Sequence, residues 1–100
     1  MNILKIMNGK LELRKPSGSL IRTIQSSGVI NADINNDGSL IVITNDKGQV
    51  ILRKESSSLI RTICASNCTN AKFSGNDIIV TKTNGKMELR KESGSLIRTI

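Results

Sequence analysis

The feature that most constrains this chain is an internal repeat. One 16-residue segment occurs three times, at 9–24, 48–63 and 85–100. The first and third copies differ at only two positions, Leu11 against Met87 and Pro16 against Glu92. Duplication of a unit of about 38 residues explains this pattern, because the copies start 39 and 37 residues apart. The chain is therefore expected to stack similar units side by side.

The segments between these copies also align with one another. Residues 29–34 resemble 69–73, residues 40–43 resemble 78–81, and residues 3–6 resemble 79–82 because each of the last pair runs into Asn-Gly-Lys. The chain thus begins partway through a unit. We expect a single repeat domain over 1–100, with approximate units at 1–24 (partial), 25–63 and 64–100.

Each complete unit carries four strand signals, short apolar segments separated by turn residues. In the middle unit, strands are predicted near 29–34, 39–44, 49–54 and 59–63. The second of these is almost continuously apolar, which is typical of a strand buried between two sheets. No sustained helical period competes with this pattern. The predicted fold class is all-β, made of antiparallel four-stranded units, two of them complete and a third represented by three strands.

The third strand of each outer unit alternates in polarity. In the first copy this pattern places Leu11 and Leu13 on one face, and Glu12 and Arg14 on the other. We therefore expect this strand to have one buried face and one face in water.

Composition restricts the available chemistry. Phe73 is the single aromatic residue, and the chain has no Trp, Tyr or His. The usual stacking platforms and the commonest general base are therefore missing, and a serine triad is excluded. We expect no enzymatic activity and no cofactor. The net charge of +7 favours an anionic partner without identifying one.

The unit resembles the WD-repeat and related β-propeller families. Residues 32–43 are similar to their inner strand, turn and second strand, 48–54 to their third strand, and 18–24 to their outer strand. Arg-Lys stands at 14–15, 53–54 and 90–91, where those families often carry Trp-Asp. The resemblance implies antiparallel propeller blades, in a divergent form of the repeat, that work by binding rather than by catalysis.

Two complete units and three strands cannot close a ring of four to eight blades. We therefore expect the ring to be completed by self-association of identical chains, with a dimer of about six blades favoured over a trimer. An open β-solenoid or stacked array is the structural alternative. The predicted function is a structural or protein-interaction module, a scaffold that binds other copies of itself and can bind other proteins.

The repeated basic residues support an alternative function. Arg22, Arg61 and Arg98 recur in the outer strands, beside the Arg-Lys pairs. In a ring they would form circles of positive charge able to bind nucleic acid or acidic glycans. We favour the simpler interpretation that exposed Lys and Arg protect strand edges from aggregation, so nucleic acid is a possible partner but not the favoured one.

Two further motifs are candidate ligand or metal sites. The stretch 33–38 (Asp-Ile-Asn-Asn-Asp-Gly) fits the opening of a calcium loop and resembles the calcium hairpins of integrin-type propellers. Ile41 and Thr44 stand where later ligands belong, so we favour an Asx-rich turn and predict no metal. Cys64 and Cys68 lack a His partner, and we interpret them as incidental free thiols in preference to a local disulfide or metal site.

The same thiols, together with the absence of a secretory signal or a membrane-spanning apolar segment, favour a cytoplasmic location and no membrane partner. No residue is assigned to a catalytic, metal or defined binding site.

Overall fold

The computed structural model describes residues 1–100 and contains strands connected by turns, with no helix. The eleven strands are β1 (Ile3–Met7), β2 (Lys10–Arg14), β3 (Leu20–Gln25), β4 (Val29–Ile34), β5 (Leu40–Asn45), β6 (Val50–Lys54), β7 (Leu59–Cys64), β8 (Cys68–Ser74), β9 (Asp77–Lys82), β10 (Met87–Arg90) and β11 (Leu96–Thr99). The all-β prediction is confirmed. Accordingly, no helical segment has the length and hydropathy that crossing a bilayer requires.

The strands form three separate antiparallel sheets, each a simple meander. We call them blade 1 (β1-β2-β3), blade 2 (β4-β5-β6-β7) and blade 3 (β8-β9-β10-β11). Every neighbouring pair within a blade is antiparallel. The predicted count of two complete four-stranded units plus three strands is confirmed.

The blades stack face to face and bury aliphatic side chains between them. The core between blades 1 and 2 contains Leu11, Leu13, Ile24, Val29, Ile41 and Ile43. The core between blades 2 and 3 contains Val42, Val50, Leu52, Ile63, Cys64, Cys68, Ala71, Ile78 and Val80. We call the face that a blade turns toward the next blade its forward face, and the opposite face its backward face. Blade 2 is buried on both, which explains its continuously apolar second strand.

One expectation about polarity was wrong. Glu12, placed on a wet face by the alternation, is only 4% exposed. Its carboxylate accepts hydrogen bonds from the Arg14 guanidinium at 2.8 and 3.0 Å and lies 3.3 Å from Lys10 Nζ. The two long basic side chains cover the carboxylate. Local pairing, which alternation does not detect, therefore buries a charged residue.

The alignment of second strands was wrong by one residue. Aligning the sequences of the units pairs Leu40 with Ile78. In the structure Ile41 is the equivalent of Ile78, because Ile41 lies opposite Ile34, and Ile78 lies opposite the equivalent Phe73. Residues 3–6 likewise correspond to 78–81 and not to 79–82, because the hairpin between β1 and β2 is shorter than the one between β9 and β10. Shifting a strand by one residue exchanges its two faces. Turn length, which differs between units, sets the register.

The turn between the third and fourth strands provides a test of whether the three blades are structurally equivalent. Gly18 and Gly94 occupy it with φ of 96° and 92°, and Ser57 occupies the same place in blade 2 with φ of 79°. A residue with a Cβ is strained in this region. We expect Ser57→Gly to raise the free energy of unfolding by about 1 kcal/mol, measured by urea denaturation. An unchanged or lower midpoint would contradict the equivalence.

Candidate interaction surfaces

The inner strands β4 and β8 join blades 2 and 3 through polar contacts. Asn31 Nδ2 donates to Asn70 Oδ1, and the Phe73 amide donates to Asp33 Oδ2 at 2.8 Å. Each Asn side-chain oxygen also accepts the amide of the following alanine, at 2.7 Å from Ala32 and 2.8 Å from Ala71. Local sequence pattern predicts no role for these asparagines. The one feature of the sequence that could have indicated their role is the recurrence of Asn-Ala in both inner strands.

Hairpin carbonyls fix the blade junctions from the other side. The Val29 amide donates to the Gly9 carbonyl at 2.9 Å, and the Cys68 amide donates to the Gly48 carbonyl at 3.0 Å. In both cases the hairpin after a second strand contacts the start of the next inner strand. The two blade junctions therefore share the same backbone hydrogen bond.

The forward face of blade 3 has no blade packed against it. Its members Ile79, Met87 and Leu89 are half-buried, although their equivalents in blade 2 are 0–1% exposed. Ile100 is 63% exposed, whereas the equivalent Ile24 and Ile63 are each 5% exposed. An apolar face of this kind marks an interaction site.

A second set of exposed side chains behaves differently. Leu20, Leu59 and Leu96 occupy equivalent outer-strand positions and are 51%, 58% and 50% exposed. Their exposure is the same whether or not a following blade is present. The exposure of these three leucines therefore does not depend on a following blade, unlike that of the forward face of blade 3.

The backward face of blade 1 is also open, but its chemistry is mixed. Ile3 and Met7 are 49% and 41% exposed. Lys5 is exposed at the place where blade 2 has the buried Ile43. This face therefore combines exposed apolar groups with cationic side chains and the buried Glu12.

The repeated Arg of the third strand has a structural role in every blade. Nη1 of Arg14, Arg53 and Arg90 donates to the carbonyl of Gly18, Ser57 and Gly94 respectively, at 2.7–2.8 Å. These contacts hold the turn before the fourth strand. The guanidinium groups are thereby engaged within their own blade.

Two of these arginines also form ion pairs. Arg14 pairs with Glu12 and Arg90 with Glu88, at 2.8 and 2.9 Å. The Arg14 hydrogen bond, against the cost of burial and helped by Lys10, lowers the pKa of Glu12 below its usual range. In blade 2 the Glu is replaced by Ile51, and Arg53 Nε has no hydrogen-bond partner.

The remaining repeated cations lie in solvent. Arg22, Arg61 and Arg98 are exposed, and Arg61 makes a single long contact to the Ser93 carbonyl, at 3.4 Å. Lys15, Lys54 and Lys91 are exposed as well. These six side chains are the repeated basic groups that an anion can reach, and Lys5, Lys47, Lys72 and Lys86 are exposed as well.

The Asp-rich segment forms a turn closed by its own side chains. Asp37 Oδ1 accepts the Ser39 amide at 2.9 Å, and Asn35 Oδ1 accepts the Leu40 amide at 3.0 Å. Hydrogen bonds from the Ser39 hydroxyl and amide lower the pKa of Asp37. Asp33 instead bonds to blade 3, so the structure does not bring the two carboxylates to one site. No group of three or more acidic or Cys side chains is placed to hold a metal ion.

The interpretation of the cysteines as free thiols was wrong. Cys64 and Cys68 form a disulfide that links the end of β7 to the start of β8. Lys82 Nζ lies 3.2 Å from the Ser66 carbonyl within the closed loop. A local chain reversal between blades brings the two residues together, which sequence spacing did not reveal. The inference from free thiols to a reducing compartment therefore loses its premise, and the cytoplasmic location stays a prediction.

We expect Cys64→Ser to lower the free energy of unfolding by about 2 kcal/mol, because the disulfide closes only a short loop in the unfolded chain. Urea denaturation with and without dithiothreitol measures this. Reductant should lower the midpoint of the natural protein and leave that of Cys64→Ser unchanged. Equal midpoints for the oxidised and reduced natural protein would contradict the prediction.

A polar cavity of about 300 Å³ lies at the junction of blades 1 and 2. It is lined by Gln25, Ser27, Gly28, Asn45, Asp46, Lys47 and Gln49, none of them hydrophobic. At the other junction, Cys64 and Lys82 replace Gln25 and Asn45, and the disulfide is found there. The two junctions therefore differ at this end, although they share one backbone arrangement.

Comparison with known proteins supports the blade architecture. BamB from Moraxella catarrhalis, a β-propeller protein, superposes with a TM-score of 0.69 and 17% sequence identity. The match covers 99% of this chain and 32% of BamB, so the chain spans about a third of that protein's length. No protein-family model matches the chain, and no curated protein matches it by sequence. The likeness establishes a β-propeller-like fold.

Proposed function

We propose that this chain is a non-enzymatic structural and protein-interaction module of the propeller type, a divergent relative of WD repeats, that binds a second copy of itself. The observation that supports this proposal most directly is the open forward face of blade 3. Each of its apolar members has an equivalent in blade 2 that is almost completely buried by the following blade. The equivalents in blade 2 are covered by the backward face of blade 3, so a backward face is the natural complement.

The proposed contact is head to tail. At both junctions within the chain, the forward face of one blade packs against the backward face of the next. The same arrangement would place the forward face of blade 3 in one copy against the backward face of blade 1 in another. Ile3 and Met7 supply apolar contact there. Lys5 stands at a core position, where its alkyl stem can pack while its amine reaches water. A ring of about six blades from two copies agrees with the usual propeller size.

The decisive measurement is the solution mass by analytical ultracentrifugation. We expect two chains per particle, and we expect Leu89→Lys to give a folded monomer because it places a charge within the proposed interface. Leu96→Lys is the matched control, since Leu96 is half exposed in a position that no neighbouring blade covers. It should leave the mass unchanged.

Two results would contradict the proposal. One is a folded natural protein that stays monomeric at high micromolar concentration. The other is a dimer that Leu89→Lys does not weaken. Loss of the dimer in Leu89→Lys but not in Ile3→Lys would replace the head-to-tail contact by a symmetric one between two forward faces.

The second candidate function is anion binding through the exposed cations of the outer strands. It is supported by the exposure of Arg22, Arg61 and Arg98 and weakened by the engagement of Arg14 and Arg90 with glutamates. Retention on heparin and on DNA at low salt tests it. Anion binding predicts salt-dependent retention that Arg61→Gln reduces, and absence of retention at low salt would remove this candidate.

A further inference from the structure

The polar cavity between blades 1 and 2 has no counterpart between blades 2 and 3. Both junctions share one backbone contact, because the Asp46 amide donates to the Gly28 carbonyl and the Thr83 amide donates to the Asn67 carbonyl, each at 2.8 Å. A cavity of about 300 Å³ is nevertheless found only at the first junction. Side chains at the second junction therefore fill a space that the first junction leaves open.

The ammonium group of Lys82 lies in this space at the second junction. Lys82 Nζ donates to the Ser66 carbonyl at 3.2 Å and lies 3.5 Å from Cys64 Sγ. The equivalents of these three residues all line the cavity, and they are Asn45, Ser27 and Gln25 respectively. The place of an ammonium group at one junction therefore corresponds to the cavity at the other.

The first junction supplies no ammonium group of its own in this place. Asn45 is shorter than Lys82, and its Nδ2 already donates to Gln49 Oε1 at 2.9 Å. Gln25 Nε2 donates to the Ser27 carbonyl at 3.0 Å, whereas Gln25 Oε1 is buried without a hydrogen-bond partner. A buried oxygen without a donor costs free energy, which an incoming N–H group would recover. Rotation about the last, soft torsion of Gln25 turns this oxygen toward the cavity and leaves the Ser27 carbonyl for the same ligand.

Asp46 gives the cavity a negative charge. Its Oδ1 lies 3.1 Å from the point where a Cβ on Gly28 would stand, and it forms no ion pair within the chain. The equivalent residue beside the Lys82 ammonium is the uncharged Thr83. Lys47 also lines the cavity, but it is exposed, so its flexible side chain can hold its amine in water. The junction without an internal cation is thus the one that carries a carboxylate.

We propose that this cavity binds the primary ammonium group of a small organic ligand, in the place that Lys82 Nζ occupies at the next junction. The three N–H bonds of the ammonium group match the Gln25 amide oxygen, the Ser27 carbonyl and the Asp46 carboxylate. A quaternary ammonium ion lacks these donors, and an alcohol lacks the charge. A volume of about 300 Å³ is at the small end of ligand pockets, so the site accepts one small group.

The test is a titration of the nitrogen-15-labelled protein with n-butylammonium chloride at constant ionic strength, followed by the amide resonances of Ser27, Gly28 and Lys47. We expect saturable shifts with a dissociation constant of about 1 mM. Tetramethylammonium chloride and n-butanol should bind at least about tenfold more weakly. The net charge of +7 repels cations in general, so saturable binding of one cation requires a specific site.

Two variants locate the binding. Asp46→Asn should weaken n-butylammonium about fivefold, whereas Glu55→Gln, which removes the same charge beyond the opposite end of β6, should leave the affinity unchanged. Asn45→Lys introduces the residue of the second junction and should weaken binding at least about tenfold, because its own ammonium group would occupy the cavity. Asn45 also accepts the Lys47 and Gln49 amides at 3.0 Å. If Asn45→Lys does not fold, Asp46→Asn and Glu55→Gln carry the test.

Two further probes distinguish the sources of the ammonium group. Tighter binding of putrescine than of Nα-acetyl-lysine amide would support a free amine as the ligand, and the reverse order would support a lysine side chain. Three results would overturn the proposal. They are the absence of saturable shifts at about 20 mM n-butylammonium, equal shifts with n-butanol, and equal effects of Asp46→Asn and Glu55→Gln. Because residues 25–49 form the cavity and the forward face of blade 3 is a different surface, this test and the self-association test fail independently.

Discussion

Leu52→Ala is expected to lower the free energy of unfolding by about 3 kcal/mol. Leu52 is 1% exposed and packs between blades 2 and 3, in the core that contains Ile78 and Val80. Truncation removes buried methyl groups and leaves a cavity between two sheets that cannot close fully, and such changes cost about 2–5 kcal/mol. Urea denaturation followed by far-UV circular dichroism measures the loss.

The repeat supplies the matched control for this substitution. Leu89 holds the same register position in blade 3, but it is half-buried because no further blade covers it. Leu89→Ala should therefore cost about 1 kcal/mol or less at concentrations where the protein is monomeric. Equal losses at both positions would mean that another blade already covers the forward face of blade 3.

Gly48→Ala is expected to destabilise the protein by about 2–3 kcal/mol. Gly48 has φ of 77°, and a Cβ there would lie 3.1 Å from the backbone nitrogen of Asn67 and 3.5 Å from that of Cys68. The left-handed conformation costs a residue with a Cβ about 1–2 kcal/mol. The close backbone contact adds to this, because the hairpin must move away from the amide that its carbonyl accepts at 3.0 Å.

Gly85→Ala separates these two causes. Gly85 occupies the equivalent hairpin with φ of 86°, and a Cβ there would meet nothing within 4 Å. It should cost only the conformational part, about 1 kcal/mol. Thermal and urea unfolding of both variants measure the difference. If Gly85→Ala were as damaging as Gly48→Ala, contact between the hairpin and the next inner strand would not explain the effect.

The sequence was a good guide to the elements of this fold. Strands predicted near 29–34 and 59–63 occur at Val29–Ile34 and Leu59–Cys64. Apolar segments of this length, separated by Gly and Asn turns, have few alternatives to antiparallel strands. Near-identity of the copies then implied that the structure would repeat as well.

The sequence was a poor guide wherever a contact joins distant positions. The burial of Glu12 depends on how Lys10 and Arg14 fold over it, and the disulfide depends on the path of the chain between β7 and β8. The asparagine contact between Asn31 and Asn70 spans 39 residues. Alternation and spacing describe one strand at a time and do not report such contacts.

The sequence by itself determined the number of blades, the strands within them and their aliphatic composition, because local propensity and repetition carry that information. Only the tertiary structure decided which faces are covered, since identical residues in adjacent copies differ only in having a neighbour. Leu52 and Leu89 illustrate this, because they share a residue type and a register but not a burial. Burial is a property of the stack of blades, and the open surfaces from which we infer function are those that the stack leaves without a neighbour.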